Sequence, residues 1–146
     1  MALKLFRGMW FLSVLAVFAN LMYIYAGLPE EVVIQQEESG NISMNKEVLF
    51  YAFLATIVLV NVLVYLIGKV FQRDEDFRAW FHGLIITINI FFIISFSHLG
   101  LSNSAERFDY SRIGFIIYGS VGLIVLWAIS WPLYLLYQKI FIKHTV

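Results

Sequence analysis

The chain has 146 residues, of which 61% are hydrophobic, 18% aromatic and 14% charged, with a net charge of zero and no cysteine. Soluble domains average about 45–50% apolar and about 25% charged residues, so a chain of this size cannot hide that much apolar surface and the excess must face lipid. Zero net charge gives no argument for a nucleic-acid partner, and none is expected; the lack of cysteine excludes disulfides, thiolate metal sites, iron–sulfur clusters and thiol nucleophiles.

Lys4 and Arg7 make a short basic start before an apolar run over 8–28 that closes at Pro29. A charged start, an apolar stretch and Val17-Phe18-Ala19 as a cleavage site are the marks of a signal peptide. The run continues through Leu21-Met22-Tyr23-Ile24-Tyr25, which is too long for a signal-peptide core, and a retained first membrane helix is the expectation.

Residues 30–47 form a polar segment with Glu30, Glu31, Glu37, Glu38 and Glu47 against a single Lys46. Val32-Val33-Ile34 is β-prone, Glu38-Ser39-Gly40-Asn41 is a turn signal and Ile42-Ser43-Met44 suits a return strand. A small hairpin on the membrane surface is expected, with its glutamates as a surface for a basic partner. Asn41-Ile42-Ser43 also matches the glycosylation sequon, a triplet common by chance.

The stretch 48–70 is the clearest membrane signal. Residues 48–68 contain no charge, and Thr56 and Asn61 are the strongly polar side chains among them. A helix rises about 1.5 Å per residue, so about 20 residues cross the ~30 Å hydrocarbon core. A charged connection over 72–78 leads to a third helix, 79–101. A polar loop, 102–111, leads to a fourth, 112–137, in which Pro132 predicts a kink. A basic tail follows from Lys139.

The expected fold class is an all-α membrane protein. It is an antiparallel four-helix transmembrane bundle with helices at 5–28, 47–71, 79–101 and 112–137 and a small extracytoplasmic cap at 29–46. Lys4, Arg7, Lys69, Arg73, Arg78, Lys139 and Lys143 fall on one side, and Lys46, Arg107 and Arg112 on the other. The positive-inside rule then predicts cytoplasmic termini and a cytoplasmic 72–78 loop. Trp10, Trp80, Trp127 and Trp131 also fall in that half.

Asn20, Asn61 and Asn89 lie at depth on three different helices. An amide in hydrocarbon needs a partner, so these side chains should face the interior and bond between helices. They are read first as interhelical glue and second as a polar site for an ion or small ligand. No charged side chain lies at that depth, as a proton relay usually requires. His82 and His98 are 16 residues apart on the third helix, or about 24 Å, and cannot share a metal or haem. No cofactor is expected. Ser95 and Ser97 beside His98 lack the oriented third group of a nucleophilic site. Gly114, Gly119, Ser120 and Gly122 place small residues on the fourth helix, which suits close helix approach.

Leu28-Pro29-Glu30-Glu31-Val32-Val33-Ile34, then Gly40, then Lys46 opening a membrane helix, resembles the DUF1648 domain of SdpI-like bacterial membrane proteins over residues 20–66. Gln35 and Gln36 stand where that family often has His-Phe, and Val33 stands at its second proline. The tryptophan before the lysine is missing. The resemblance implies a bacterial inner-membrane protein acting in immunity or signalling by sequestering a partner, and it carries over no functional residue.

Three functions are therefore weighed. The first is a non-enzymatic accessory, sensor or immunity-type protein that binds a protein partner through the acidic cap or its lipid-facing helices. The second is a small oligomeric channel or carrier lined by Asn20, Asn61 and Asn89. The third is a lipid-acting enzyme, which needs a cleft with His82 or His98 beside an acid such as Asp76 or Glu106. The expected surroundings are the bilayer and a protein partner or further copies of the chain.

Overall fold

The computed structural model describes residues 1–104 and 110–142, without the side chains of residues 36, 37, 110–113 and 142. Glu106, Arg107, Lys143 and His144 lie outside the described residues, as do the side chains of Glu37 and Arg112. The element order is α1 (Ala2–Gly27), β1 (Glu31–Glu37), β2 (Gly40–Asn45), α2 (Lys46–Val70), α3 (Glu75–Ser102) and α4 (Tyr110–Tyr137), with a π-helical turn over Gln138–Ile142. Four helices are long and apolar enough to cross a membrane. The chain is not wholly α, because the cap folds into a two-stranded sheet.

Local chemistry sets the helix ends. Leu28 precedes a proline, which disfavours the helical region, and it adopts φ −75° and ψ 143°, ending α1. The Asn45 side chain accepts a 2.9 Å hydrogen bond from the Glu47 N–H and caps α2. Asp74 accepts from the Phe77 N–H at 2.9 Å and caps α3, with Glu75 and Asp76 in the first turn facing the positive end of the helix dipole. The charged connection expected over 72–78 is thereby shortened: residues 75–78 are helical, and α3 begins one turn before the expected 79. Helix α4 runs through Pro132 and continues to Tyr137.

Helix α3 is the common neighbour. It packs on α1, on α2 and on α4, and it buries Ala79, His82, Gly83, Ile85, Thr87, Asn89 and Phe96. The core between α1, α2 and α3 is built from Val17, Leu21, Ile57 and Phe96, with the Phe53 and Phe96 rings 4.4 Å apart edge to face. Outward faces keep large apolar side chains exposed, such as Leu59 on α2 and Leu126 on α4. Thr56 sits on such a face and satisfies its hydroxyl on the Ala52 carbonyl at 2.8 Å, one turn back.

Close approach between helices occurs at Gly83 and Gly100. A Cβ at Gly83 would clash with the Trp127 ring, and one at Gly100 would stand 3.0 Å from Ile24. The close approach expected at Gly114, Gly119 and Gly122 is not formed among the described residues, where no neighbouring atom lies within 4 Å of a Cβ built at any of the three.

In the hairpin, Glu31 pairs with Asn45, Val32 with Met44 and Val33 with Ser43. Ile34 bulges out before Gln35 pairs with Ile42. The turn is Glu38-Ser39, and Gly40 follows at φ 138°, a conformation open to glycine and strained for other residues. Val32 is fully buried with Leu28 and Leu49 against Ile24, Phe53 and Leu99, so the sheet is seated on the ends of α1, α2 and α3.

Candidate functional site

Asn61 and Asn89 meet between α2 and α3. The Asn61 amide donates to Asn89 Oδ1 and the Asn89 amide donates to Asn61 Oδ1, both at 3.0 Å. The second Asn61 donor goes to the Ile57 carbonyl at 2.9 Å, and the second Asn89 donor goes to Ser13 Oγ on α1, also at 2.9 Å. Trp10 Nε1 adds a 2.9 Å bond to Asn61 Oδ1, and Ser13 donates to the Trp10 carbonyl at 2.7 Å. Asn89 is fully buried and Asn61 is 9% exposed. The four amide N–H bonds and both carbonyl oxygens are used, so three helices are joined by a polar group that needs no water or ligand.

Asn20 does not join this group. Its amide donates to Ser97 Oγ on α3 at 2.9 Å. Ser97 is eight residues along α3 from Asn89, or about 12 Å. The three asparagines form two separate interhelical contacts rather than one lining. Of the partners, Ser13 carries no sequence signal, and Trp10 and Ser97 are read from sequence in other roles. Their spacing on α1 and α3 is compatible with inward faces, but the pairing depends on how the helices meet.

A third polar joint links α3 and α4. Trp80 Nε1 donates to the Trp127 carbonyl and Trp127 Nε1 donates to the Trp80 carbonyl, both at 2.9 Å. Both indoles thus lie between helices, with a bonded N–H, rather than serving simply as interface anchors. Gly83 leaves room for the Trp127 ring.

His82 Nδ1 lies 2.6 Å from the Arg78 carbonyl, and its ring meets Trp10 edge to face at 5.9 Å. A carbonyl can only accept, so Nδ1 carries the proton. Asp76 is bonded instead to the Tyr134 hydroxyl at 3.4 Å, and it lines a different hollow from His82. The His82–Asp76 pairing, one of those the enzyme reading named, is not formed, and Glu106 lies outside the described residues. Among the described residues, no three histidine or acidic side chains converge on a point that would hold a metal.

A cavity of about 370 Å³ opens between α1, α2 and α3 at the end opposite the hairpin. Arg7, Lys69 and Arg78 supply its charge, and Trp10, Val64 and Tyr65 its apolar wall. Arg78 Nη1 donates to the Gln72 carbonyl at 3.2 Å, while Nε is buried with no hydrogen-bond partner among the described residues. A buried donor left unmet costs about 1–3 kcal/mol. Sequence reading placed these cations on one side of the membrane but did not bring them together.

At the hairpin end, Lys46 Nζ pairs with Glu30 at 2.7 Å and lies over the Tyr25 ring at 5.5 Å. Glu31 accepts a long 3.4 Å bond from Ser43, and Glu38 is exposed in the turn. The four candidate glutamates are therefore not equivalent: Glu30 ties the cap to α2, while Glu31 and Glu38 face outward. The side chain of Asn103, just past α3, accepts from the Val33 N–H at 2.7 Å and donates to the Val33 carbonyl at 3.0 Å. It pairs with β1 much as a neighbouring strand would. Met44 pairs directly with Val32 and so lies on the same face of the sheet, and both Met44 and its strand neighbour Ile42 remain exposed.

Compared with protein families, with characterised proteins and with solved structures, the chain matches none.

Proposed function

We propose that this chain is a small non-enzymatic membrane protein of accessory, sensor or immunity type, which holds an acidic hairpin at the membrane surface for a protein partner. The observation that carries the reading is the pair of hydrogen bonds between Asn103 and Val33, together with burial of Val32. A two-stranded hairpin is marginal by itself in water. Here it is fastened to three helices while Glu31 and Glu38 stay outward. The saturated Asn61–Asn89 group favours this reading over the channel, because a conducting path needs polar atoms left open to water.

The same proposal includes the arrangement in the membrane. Contacts between α1 and α3 rise together in number, as in Trp10–His82 and Asn20–Ser97, while those of α1 with α2 run oppositely, as in Trp10–Asn61 and Tyr25–Phe50, and so do those of α3 with α4, as in Trp80–Trp127 and Asp76–Tyr134. These support an up-and-down antiparallel bundle with an extracytoplasmic cap and both termini cytoplasmic. The resemblance to SdpI-like proteins supports a bacterial inner membrane.

The test is site-specific photo-crosslinking in native membranes. A photoreactive residue at Asn41 should give one discrete protein adduct, lost when Glu30, Glu31, Glu37 and Glu38 are changed to Gln. The same probe at the lipid-facing Leu59 should give none. No adduct from Asn41, or the same adduct from Leu59, sinks the cap reading.

A further inference from the structure

The basic cavity between α1, α2 and α3 has no part in the cap reading, and its chemistry is different. Its cations come from three separate helices: Arg7 from α1, Lys69 from α2 and Arg78 from α3. No carboxylate lines it. Among the described residues no ion pair engages any of the three. Lys69 instead rests over the Tyr65 ring at 4.7 Å. Arg78 is held close to α2, with Nη2 3.9 Å from where a Cβ on Gly68 would be. Like charges brought together without counter-charge repel, and Arg78 Nε is also buried without an acceptor. One anion with several acceptor oxygens would answer both conditions.

We propose that this cavity is a binding site for the phosphate of an anionic phospholipid. A phosphate matches the planar fork of a guanidinium, and basic pockets between membrane helices are suited to lipid head groups. Three features favour a lipid over a free phosphate. The cavity lies at the end of membrane-spanning helices, where head groups lie. The wall formed by Trp10, Val64 and Tyr65 is apolar and suits the glycerol and first acyl carbons. Tyr65 is itself 63% exposed on the outer face of α2, so the cavity is continuous with the surface that meets lipid. The Trp10 indole both walls the cavity and donates to Asn61, so an occupied site rests directly on the polar group that joins the three helices.

The test uses the purified full chain in detergent, titrated with phosphatidylglycerol or phosphatidylcholine and read by native mass spectrometry. One phosphatidylglycerol should bind per chain, roughly tenfold tighter than phosphatidylcholine, because both lipids carry the phosphate but the choline ammonium of the second is repelled by the three cations of the cavity. The exposed pair Arg7→Gln and Lys69→Gln should abolish that preference with helix content unchanged by circular dichroism. The charge-matched pair Lys4→Gln and Arg73→Gln, which does not line the cavity, should keep it. Equal binding of the two lipids overturns the site. Equal loss in both double variants also overturns it, because the attraction is then diffuse. If inorganic phosphate displaces phosphatidylglycerol, the occupant is a soluble phosphate and the lipid assignment fails.

Discussion

Asn61 and Asn89 exchange amide hydrogen bonds in both directions at 3.0 Å, so each side chain is donor and acceptor to the other. Removing Asn61 leaves Asn89 Oδ1 and one of its N–H groups unmet, and removing Asn89 leaves one N–H of Asn61 unmet, since Trp10 still bonds Asn61 Oδ1. Asn61→Ala and Asn89→Ala should each destabilise the protein by about 1–2 kcal/mol in denaturant unfolding from detergent, within the range for interhelical contacts in membranes. The double variant should cost little more than either single change. Additive losses would show that the two side chains act independently. Ser13→Ala, which removes one acceptor from Asn89 and leaves the reciprocal pair, should cost less.

The fit of Trp127 over Gly83 predicts a graded glycine series. Gly83→Ala puts a methyl into an indole that is itself tied to the Trp80 carbonyl, so the ring cannot move without losing that bond. Overpacking of this kind costs about 1–3 kcal/mol. Gly100→Ala meets the flexible end of Ile24 at 3.0 Å and should cost less. Gly119→Ala and Gly122→Ala meet nothing among the described residues, and alanine is the better helix former, so both should be neutral or stabilising. Thermal unfolding in detergent gives the order. A large loss at Gly119 or Gly122 would mean that another chain packs on that face.

The four spans were legible because hydrocarbon thickness imposes length and apolarity on each helix separately, with no reference to its neighbours. The hairpin was legible for a local reason too, since Glu38-Ser39-Gly40-Asn41 needs a positive φ at Gly40 to turn. The α3 start is also local: Asp74 with Glu75 and Asp76 is an N-terminal signature, but the same charges also read as an exposed connection. The asparagines were legible as interhelical, but their partners were not. Hydropathy treats Trp10 as an apolar anchor, although its Nε1 bonds Asn61. Similarly, Gly119 and Gly122 have the spacing of a packing face while the close approach falls at Gly83. Pairings of this kind follow from which helix lies beside which, and α3 as the common neighbour is a tertiary fact.

The Asn103 side chain is bonded to both backbone groups of Val33, and this makes hairpin anchoring separable from hairpin folding. Asn103→Ala should leave the four helices intact and release β1. Amide hydrogen exchange at Val33 should quicken by roughly tenfold or more, the change expected for losing about 1.5 kcal/mol of hydrogen bonding. Amides in the middle of α2 and α3 should be unchanged. Asn103→Asp keeps the acceptor for the Val33 N–H and loses the donors to the Val33 and Leu99 carbonyls, so its effect should be intermediate. Unchanged exchange at Val33 in the alanine variant would show that burial of Val32 anchors the hairpin without the amide.

The chain has no cysteine, so every engineered thiol is the sole label in the molecule. Lys69, Arg73 and Arg78 cluster around the short connection between α2 and α3, whereas the hairpin between α1 and α2 carries most of the exposed glutamates. The charge rule puts the first end in the cytoplasm. Ser39→Cys and Asn41→Cys should react in intact cells with a membrane-impermeant maleimide. Gln72→Cys and Arg73→Cys should react only after permeabilisation. These positions are exposed, so failure to label cannot come from burial in the fold. The reverse pattern would place the hairpin in the cytoplasm and its partner with it. Labelling of both ends in intact cells would mean two orientations. A single arrangement set by the basic connection would then fail, and Arg73→Glu should not change the ratio between them.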